Sequence, residues 1–485
     1  MHRRTFLIST AIIGVAGCLG ACSRNLKTGP TPSIAPAPTL GPESRVLPPA
    51  DGAVPSSFSE FPLWPEVDIQ TTVTALHKQH LCGTAEIPEL DGRVSNGLCP
   101  VVVDLSGPST WAIIPDGKEN WSIMPVRMSP SPSPSSSSSP ATAAGPYDPG
   151  PTIAIGPAVL DDSYAYITAG IHSTKNLTSE PPKGPASIHV IKVSLSDHTI
   201  VASICVAKNY VVNDKFLYRV TLTLDVEHGT LLIVGDTRGV SQKADSFGFR
   251  ISAADLSIQF DASTVLADGF QVEESLGEAL LVKDKAVIVY LVTGVLEDRG
   301  SKVIKSVKDG WVYYKESDNS SRELEAYKRD AFRAQNIATG ENILLADHPQ
   351  QFHGLATQIP IYTNQHEVIL YGEYEDSIFS VRQPGSATPI LSWNSGERAI
   401  PSTACVFGDI AYLAPSKHAS NRDGALQLVS LSAGQDVNEI PISAWGDSIA
   451  VSSWGIVLHD AFYPADAWFG YPSGTSEPTP TAVNS

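Results

Sequence analysis

Two thiols at the end of an apolar run, Cys18 and Cys22, carry the plainest chemistry in this 485-residue chain. Small residues precede each, in Val15-Ala16-Gly17-Cys18 and Leu19-Gly20-Ala21-Cys22, so either cysteine could accept a lipid once the run before it is cleaved. His77 and His80 stand about one helical turn apart, as metal ligands can. No third ligand follows them at a recognisable spacing, so solvated surface histidines are the expectation and no metal is assigned. Cys82 and Cys99 enclose a segment rich in Gly, Asp and Asn. A disulfide there would stabilise by roughly 3 kcal/mol on chain-entropy grounds. Cys205 and Cys405 sit in apolar stretches and read as small core residues.

The elements that place Cys18 and Cys22 form an export signal. Arg3, Arg4, Phe6 and Leu7 open it, and its apolar segment is too short for a bilayer span, which needs roughly 20 residues. The arginine pair resembles the twin-arginine signal of bacteria, and the small-residue ending resembles the bacterial lipobox. Leu19 three positions before Cys22, and Ser23 after it, favour Cys22 as the lipidated residue, with Cys18 the alternative. Residues 1–21 are therefore expected to be a signal peptide and the protein to sit, lipid-anchored, on the extracytoplasmic face of the bacterial membrane. Losing them removes two arginines and no acid, taking the formal charge from −18 to about −20. So acidic a surface attracts neither nucleic acid nor anionic lipid. No later stretch is long and apolar enough to span, leaving the lipid as the expected anchor.

Composition divides the remainder. Residues 22–57 are rich in proline and small residues and read as a disordered tether, extending about 3.1 Å per residue in the polyproline limit. A Ser/Pro linker is expected over 129–151 and a disordered tail over 472–485, with 58–128 supplying strands that join the main β domain of 152–471. Short apolar or β-branched runs bounded by Gly, Asp, Asn or Pro recur there, as in Leu231 to Gly235 and Ile410 to Leu413. Only Pro65 to Leu81 fits a helix and a strand equally.

A degenerate repeat organises these runs. Ala334 to Leu344 reads as a strand, a turn carrying Thr339-Gly340 and a returning strand; Val193 to Ala202, Ile251 to Phe260 and Val429 to Asn438 are looser copies. An acidic turn before an apolar strand, as at Asp161-Asp162, Asp284, Asp409 and Asp447, precedes most of them. The repeat resembles that of quinoprotein-type (PQQ-like) propellers, in which a Thr-Gly turn follows an Asp and a tryptophan closes the unit. Here Ala202, Phe260, Leu344 and Asn438 occupy the closing position. The expectation is an all-β β-propeller of about seven blades, within a range of six to eight; two β-sandwiches are the rival.

The resemblance is to the scaffold. Quinoproteins of that kind use adjacent cysteines, and none occur here, so no cofactor is expected. Asp116 to Trp121 faintly resembles the Asp-box of sialidase-type propellers, but lacks its serine and reads as a hairpin turn. No Gly-x-Ser-x-Gly, phosphate loop or His-Glu-x-x-His occurs. The segment Leu296 to Arg329 interrupts the repeat and carries Trp311, Tyr313 and Tyr314, the expected binding loop. Together these features resemble propeller lipoproteins of Gram-positive, actinobacterial type. They imply a binding or scaffolding module for an envelope protein or glycan. The alternative is an envelope enzyme, a degenerate quinoprotein or a glycan hydrolase, working at the channel mouth.

Overall fold

The structure, a computed structural model, describes residues 49, 52–58, 72–87, 98–106, 109–116, 120–126, 151–172, 184–212, 215–236, 246–266, 270–283, 285, 287–298, 300, 302–317, 330–348, 361–363, 366–371, 378–415, 425–441, 449–458 and 461–465. Eight antiparallel sheets follow one another along the chain, each built from consecutive strands. Blade 1 spans 72–125 with five strands; blades 2 to 7, of four strands each, span 153–212, 220–261, 272–298, 303–348, 361–394 and 404–440. A three-stranded eighth sheet covers 449–464. The expected propeller is thus what forms, with seven complete blades and a shorter eighth sheet. The ambiguous segment near Leu81 resolves as two strands, Thr72–His77 and His80–Glu86.

First strands form the inner ring. Thr72–His77 touches both Ile153–Leu160 and Ile449–Ser452, which brings the last sheet against the first. Closure uses a residue upstream of blade 1: Phe58 makes an antiparallel bridge to Ala465 at the end of the eighth sheet. Phe58 is buried in the cluster of Tyr412, Leu428, Ile456 and Tyr463, with its ring edge-on to Tyr412 at 6.0 Å. Tyr412 Oη donates to the Pro55 carbonyl and Asn438 Nδ2 to that of Ser56. The sequence places 22–57 in a tether, and its last residues are part of the ring.

Both faces of each inner sheet are covered by neighbours. Ile191 and Val193 of the strand Gly184–Ser194 pack toward blade 1, whereas Ile188 and Val190 pack toward blade 3. This two-sided burial makes the strands continuous apolar runs rather than clean alternations.

The repeat read from the sequence is the outer hairpin of a blade. Its four copies are the turns joining third and fourth strands in blades 2, 3, 5 and 7, and blade 4 has the same turn. In all five, the turn's first residue, 194, 252, 290, 336 or 430, donates its N–H five residues ahead and accepts from the residue four ahead. That latter residue has positive φ in every copy: His198, Leu256, Gly294, Gly340 and Gly434. Glycine fills three of these positions because a Cβ is disfavoured there. Ser194, Ser252, Asn336 and Ser430 add a side-chain acceptor for a backbone N–H three residues on.

The turns between first and second strands, which include the acidic turns at Asp161-Asp162 and Asp409, are tied to these hairpins, whereas the acidic phrases at Asp284 and Asp447 lie outside the described residues and are not first-to-second turns. Amides of Leu105, Leu195, Ala253, Leu291, Ile337, Leu431 and Ala465 donate at 2.8–2.9 Å to carbonyls of Gln79, Ser163, Gly229, Glu278, Gly310, Asp409 and Trp454. Among the described residues, such a clasp closes the turn end of blades 1 to 5 and 7 and of the eighth sheet. At blade 7 the Asp409 carboxylate also accepts from the Ser430 and Ser432 hydroxyls and the Ser432 amide. These bonds to the ionised form hold its pKa below the usual carboxylate value. In blades 2 and 7, where both sequence phrases are described, their turns bond to each other.

Candidate functional site: the turn end between blades 1 and 2

Cations join consecutive blades at one equivalent position, two residues before the hairpin turn. Lys192, buried, donates at 2.8 Å to the carbonyls of both Ala253 and Ala254 on blade 3, with its ammonium 3.8 Å from the centre of the Tyr164 ring. Arg250 on blade 3 donates to the Leu291 and Val292 carbonyls on blade 4. Burial lowers the pKa of Lys192, against the pull of Asp161 and Asp255.

The boundary between blades 1 and 2 is built differently. His77 and Lys78 lie at the tight turn of the first hairpin, where Lys78 has φ of 49°. His77 Nε2 is 2.7 Å and Lys78 Nζ 2.8 Å from the same Asp162 oxygen, on the acidic turn of blade 2. That convergence on the ionised carboxylate lowers the Asp162 pKa. Side by side with them, His80 is buried opposite Asp104 in register, and Asp104 accepts from the amide and hydroxyl of Ser106. His198, at the positive-φ position of its turn, lays its ring on Trp111 of blade 1, 3.4 Å between centres and 7° from parallel.

This arrangement offers three imidazoles and two acidic side chains at one end of the ring. It can accept protons, and its exposed Asp162 can hold a cationic group. The sequence singles out His77 and His80 as solvated residues. His77 is partly exposed, but His80 is 7% exposed. His198 escapes sequence reading, and Asp162 is read there only as part of an acidic turn, because they meet blade 1 only through the ring. Among the described residues, no group of three or more His, Cys, Asp or Glu is placed to hold a metal ion.

Two other expectations are corrected. Cys82 lies opposite Val102, and Cys99 opposite Ala85, on adjacent strands. The three-residue offset puts the two side chains on opposite faces and about 10 Å apart along the strands, which no disulfide spans. Both are buried thiols: burial pushes Cys99 up to about 12 and Cys82 higher still. Cys405 is buried as expected, while Cys205 is half-buried.

Trp311, Tyr313 and Tyr314 do not form an exposed loop. They lie on the strand Trp311–Ser317, with Tyr313 and Tyr314 wholly buried on its two faces. Trp311 is half-buried, its ring beside Gly385 of blade 6. The overlooked cue is Asp309-Gly310: both have positive φ, making a two-residue hairpin turn ahead of that strand. The hairpin expected at Asp116 to Trp121 is present, between Ser109–Asp116 and Asn120–Pro125. Arg3, Arg4, Phe6, Leu7, Cys18 and Cys22, the Ser/Pro tract before residue 151 and the tail from 472 lie outside the described residues.

No protein-family model matches this chain, and no curated protein matches it. Solved structures resemble it in fold. They include an uncharacterised protein from Listeria monocytogenes, with TM-score 0.40 and 9% identity over 84% of this chain and 97% of that one. A prolyl endopeptidase gives TM-score 0.36 and 8% identity over 77% of this chain and 50% of its own, so the chain spans half that enzyme's length. A eukaryotic initiation factor gives 0.34 and 9%, over 86% and 92%. At these values the likenesses carry nothing about binding or catalysis.

Proposed function

We propose that this chain is a lipoprotein held on the extracytoplasmic face of a bacterial membrane, where its propeller binds or scaffolds an envelope protein or glycan. The observation that carries the reading is the closure of the ring by Phe58 and its neighbours, which supports a closed propeller that could present its turns to a partner. Clasped turns and inter-blade cations support a platform role, since they fix the loops that would meet a partner. The formal charge of −18 disfavours nucleic acid, and membrane attachment would run through the lipid alone.

Replacing Cys22 with serine is expected to abolish incorporation of labelled fatty acid and move the protein from the membrane to the soluble fraction. Cys18→Ser should change neither. Retention of label by Cys22→Ser, with its loss in Cys18→Ser, would move the attachment to the alternative cysteine; absence of label from the wild type would overturn the lipoprotein reading. Cross-linking in intact cells then tests the scaffold, through covalent capture of an envelope protein or glycan by the wild type.

A further inference from the structure

The axial edge of blade 2 is covered by the chain that leads into blade 3. Ile153–Leu160 is a first strand, so one edge pairs with Tyr164–His172 and the other faces the ring axis. That second edge takes up residues 215–217 in parallel: the Ile155 amide donates to the Lys215 carbonyl at 2.9 Å, and the Leu217 amide to the Ile155 carbonyl at 2.7 Å. Leu217 is buried against Gly156, where a Cβ would come within 3.1 Å of its Cδ1. The amides of Val220 and Asp236 donate to the carbonyls of Leu217 and Arg219, each at 3.0 Å, and Tyr210 Oη donates to the Asp236 carbonyl at 2.6 Å. Residues 215–219 are thus a strut fixed at both ends.

The strut holds an aromatic side chain open to solvent. Tyr218 is 74% exposed, its ring 5.5 Å from that of half-buried Phe216. Lys215 and Arg219, both partly exposed, flank the pair, which sets two cations beside an open ring in a chain of formal charge −18. Asp236, whose amide bonds the Arg219 carbonyl, is itself buried. A guanidinium offers several N–H donors in a fixed fork, and Nη1 of Arg219 is buried with no hydrogen-bond partner among the described residues. An unpaired buried donor is costly, and a carboxylate reaching the fork from its solvent side would engage it through charge-assisted bonds.

We propose that this strut is a subsite for a carboxylated sugar, which lays the apolar C–H face of its ring on Tyr218 and gives its carboxylate to Arg219, with Lys215 as the second cation. The assignment rests on the binding-module reading above and narrows its ligand to a short acidic glycan. A ring and a guanidinium side by side match such a sugar, which offers an apolar face and a planar anion within one ring's width. A protein partner would need about 800 Å² of this surface, far more than one open ring and two cations supply. The acidity of the rest of the chain works against long polyanions and favours short or sparsely charged sugars, for which repulsion from charges beyond about 10 Å is screened.

Titration calorimetry of the full-length protein in detergent, with digalacturonate and with its neutral counterpart galactobiose, tests this. Digalacturonate is expected to bind about tenfold more tightly, the effect of one charge-assisted contact. Arg219→Gln should erase that preference. Tyr218→Ala should weaken both sugars about tenfold, whereas Tyr218→Phe, which keeps the ring, should stay within about threefold. Absence of digalacturonate binding at millimolar concentration, equal affinity for the two sugars, or undiminished binding by Tyr218→Ala would each overturn the subsite. If Arg219→Gln does not fold, Tyr218→Ala and the comparison of sugars on the wild type decide. The scaffold reading fails separately, when cross-linking in cells captures neither protein nor glycan; a protein and no sugar cross-linked to the strut would overturn the subsite and leave that reading standing.

Discussion

Phe58→Ala is expected to destabilise the propeller by about 3 kcal/mol, the usual cost of removing a fully packed aromatic ring. The residue is 4% exposed and contributes both the bridge to Ala465 and the ring contact with Tyr412. Its position raises the consequence beyond a local cavity, since the eighth sheet has three strands of its own and shares the Phe58 cluster with blade 7. Thermal unfolding of Phe58→Ala should show a lower Tm, and exchange should rise first in Ile449–Ser452 and Ala461–Pro464. Phe58→Leu, which keeps apolar volume, should lose less than half as much. A change under about 1 kcal/mol in Phe58→Ala would show that closure rests on the inner strands instead.

The second large effect is expected where blades 4 and 5 meet. Lys308 Nζ lies 2.9 Å from a Glu278 oxygen, with the Glu278 side chain 6% and that of Lys308 20% exposed. Around them the Glu278 amide donates to the Val307 carbonyl, and Val307 donates to Leu276. Burial works against the Lys308 charge, but Glu278 and Asp309 outweigh it and raise its pKa. Lys308→Met should therefore cost about 3 kcal/mol, because it leaves a buried carboxylate without this partner. The double variant Glu278→Leu with Lys308→Met should recover most of the loss, since removing both charges also removes their desolvation cost. Urea unfolding of the set would check this, and a double variant no better than the single one would mean the lysine acts through packing.

Much that is local was legible in the chain. Strand runs such as Ile410–Leu413 and turns such as Thr339-Gly340 follow from apolar spacing and from the few residues that tolerate positive φ. Recurrence of the paired turns pointed to blades, and their mutual hydrogen bonds give the physical reason. Inserts of unequal length hid the spacing, so the number of sheets had to come from the fold.

The remaining contacts depend on register and on ring closure. Cys82 and Cys99 are near in sequence and one strand apart, but the parity of the pairing sends them to opposite faces. Tyr313 and Tyr314 read as an interface motif, yet a strand between two neighbouring blades buries successive residues on both sides. His77 meets Asp162 across 85 residues, and Phe58 bridges Ala465 from the far end of the ring. Strands, their turns and an all-β repeat could be read from the residues alone, because those depend on positions within a few residues of one another. Which side chains converge at a boundary was settled only by closing the ring, which brings distant segments together through packing that no local pattern encodes.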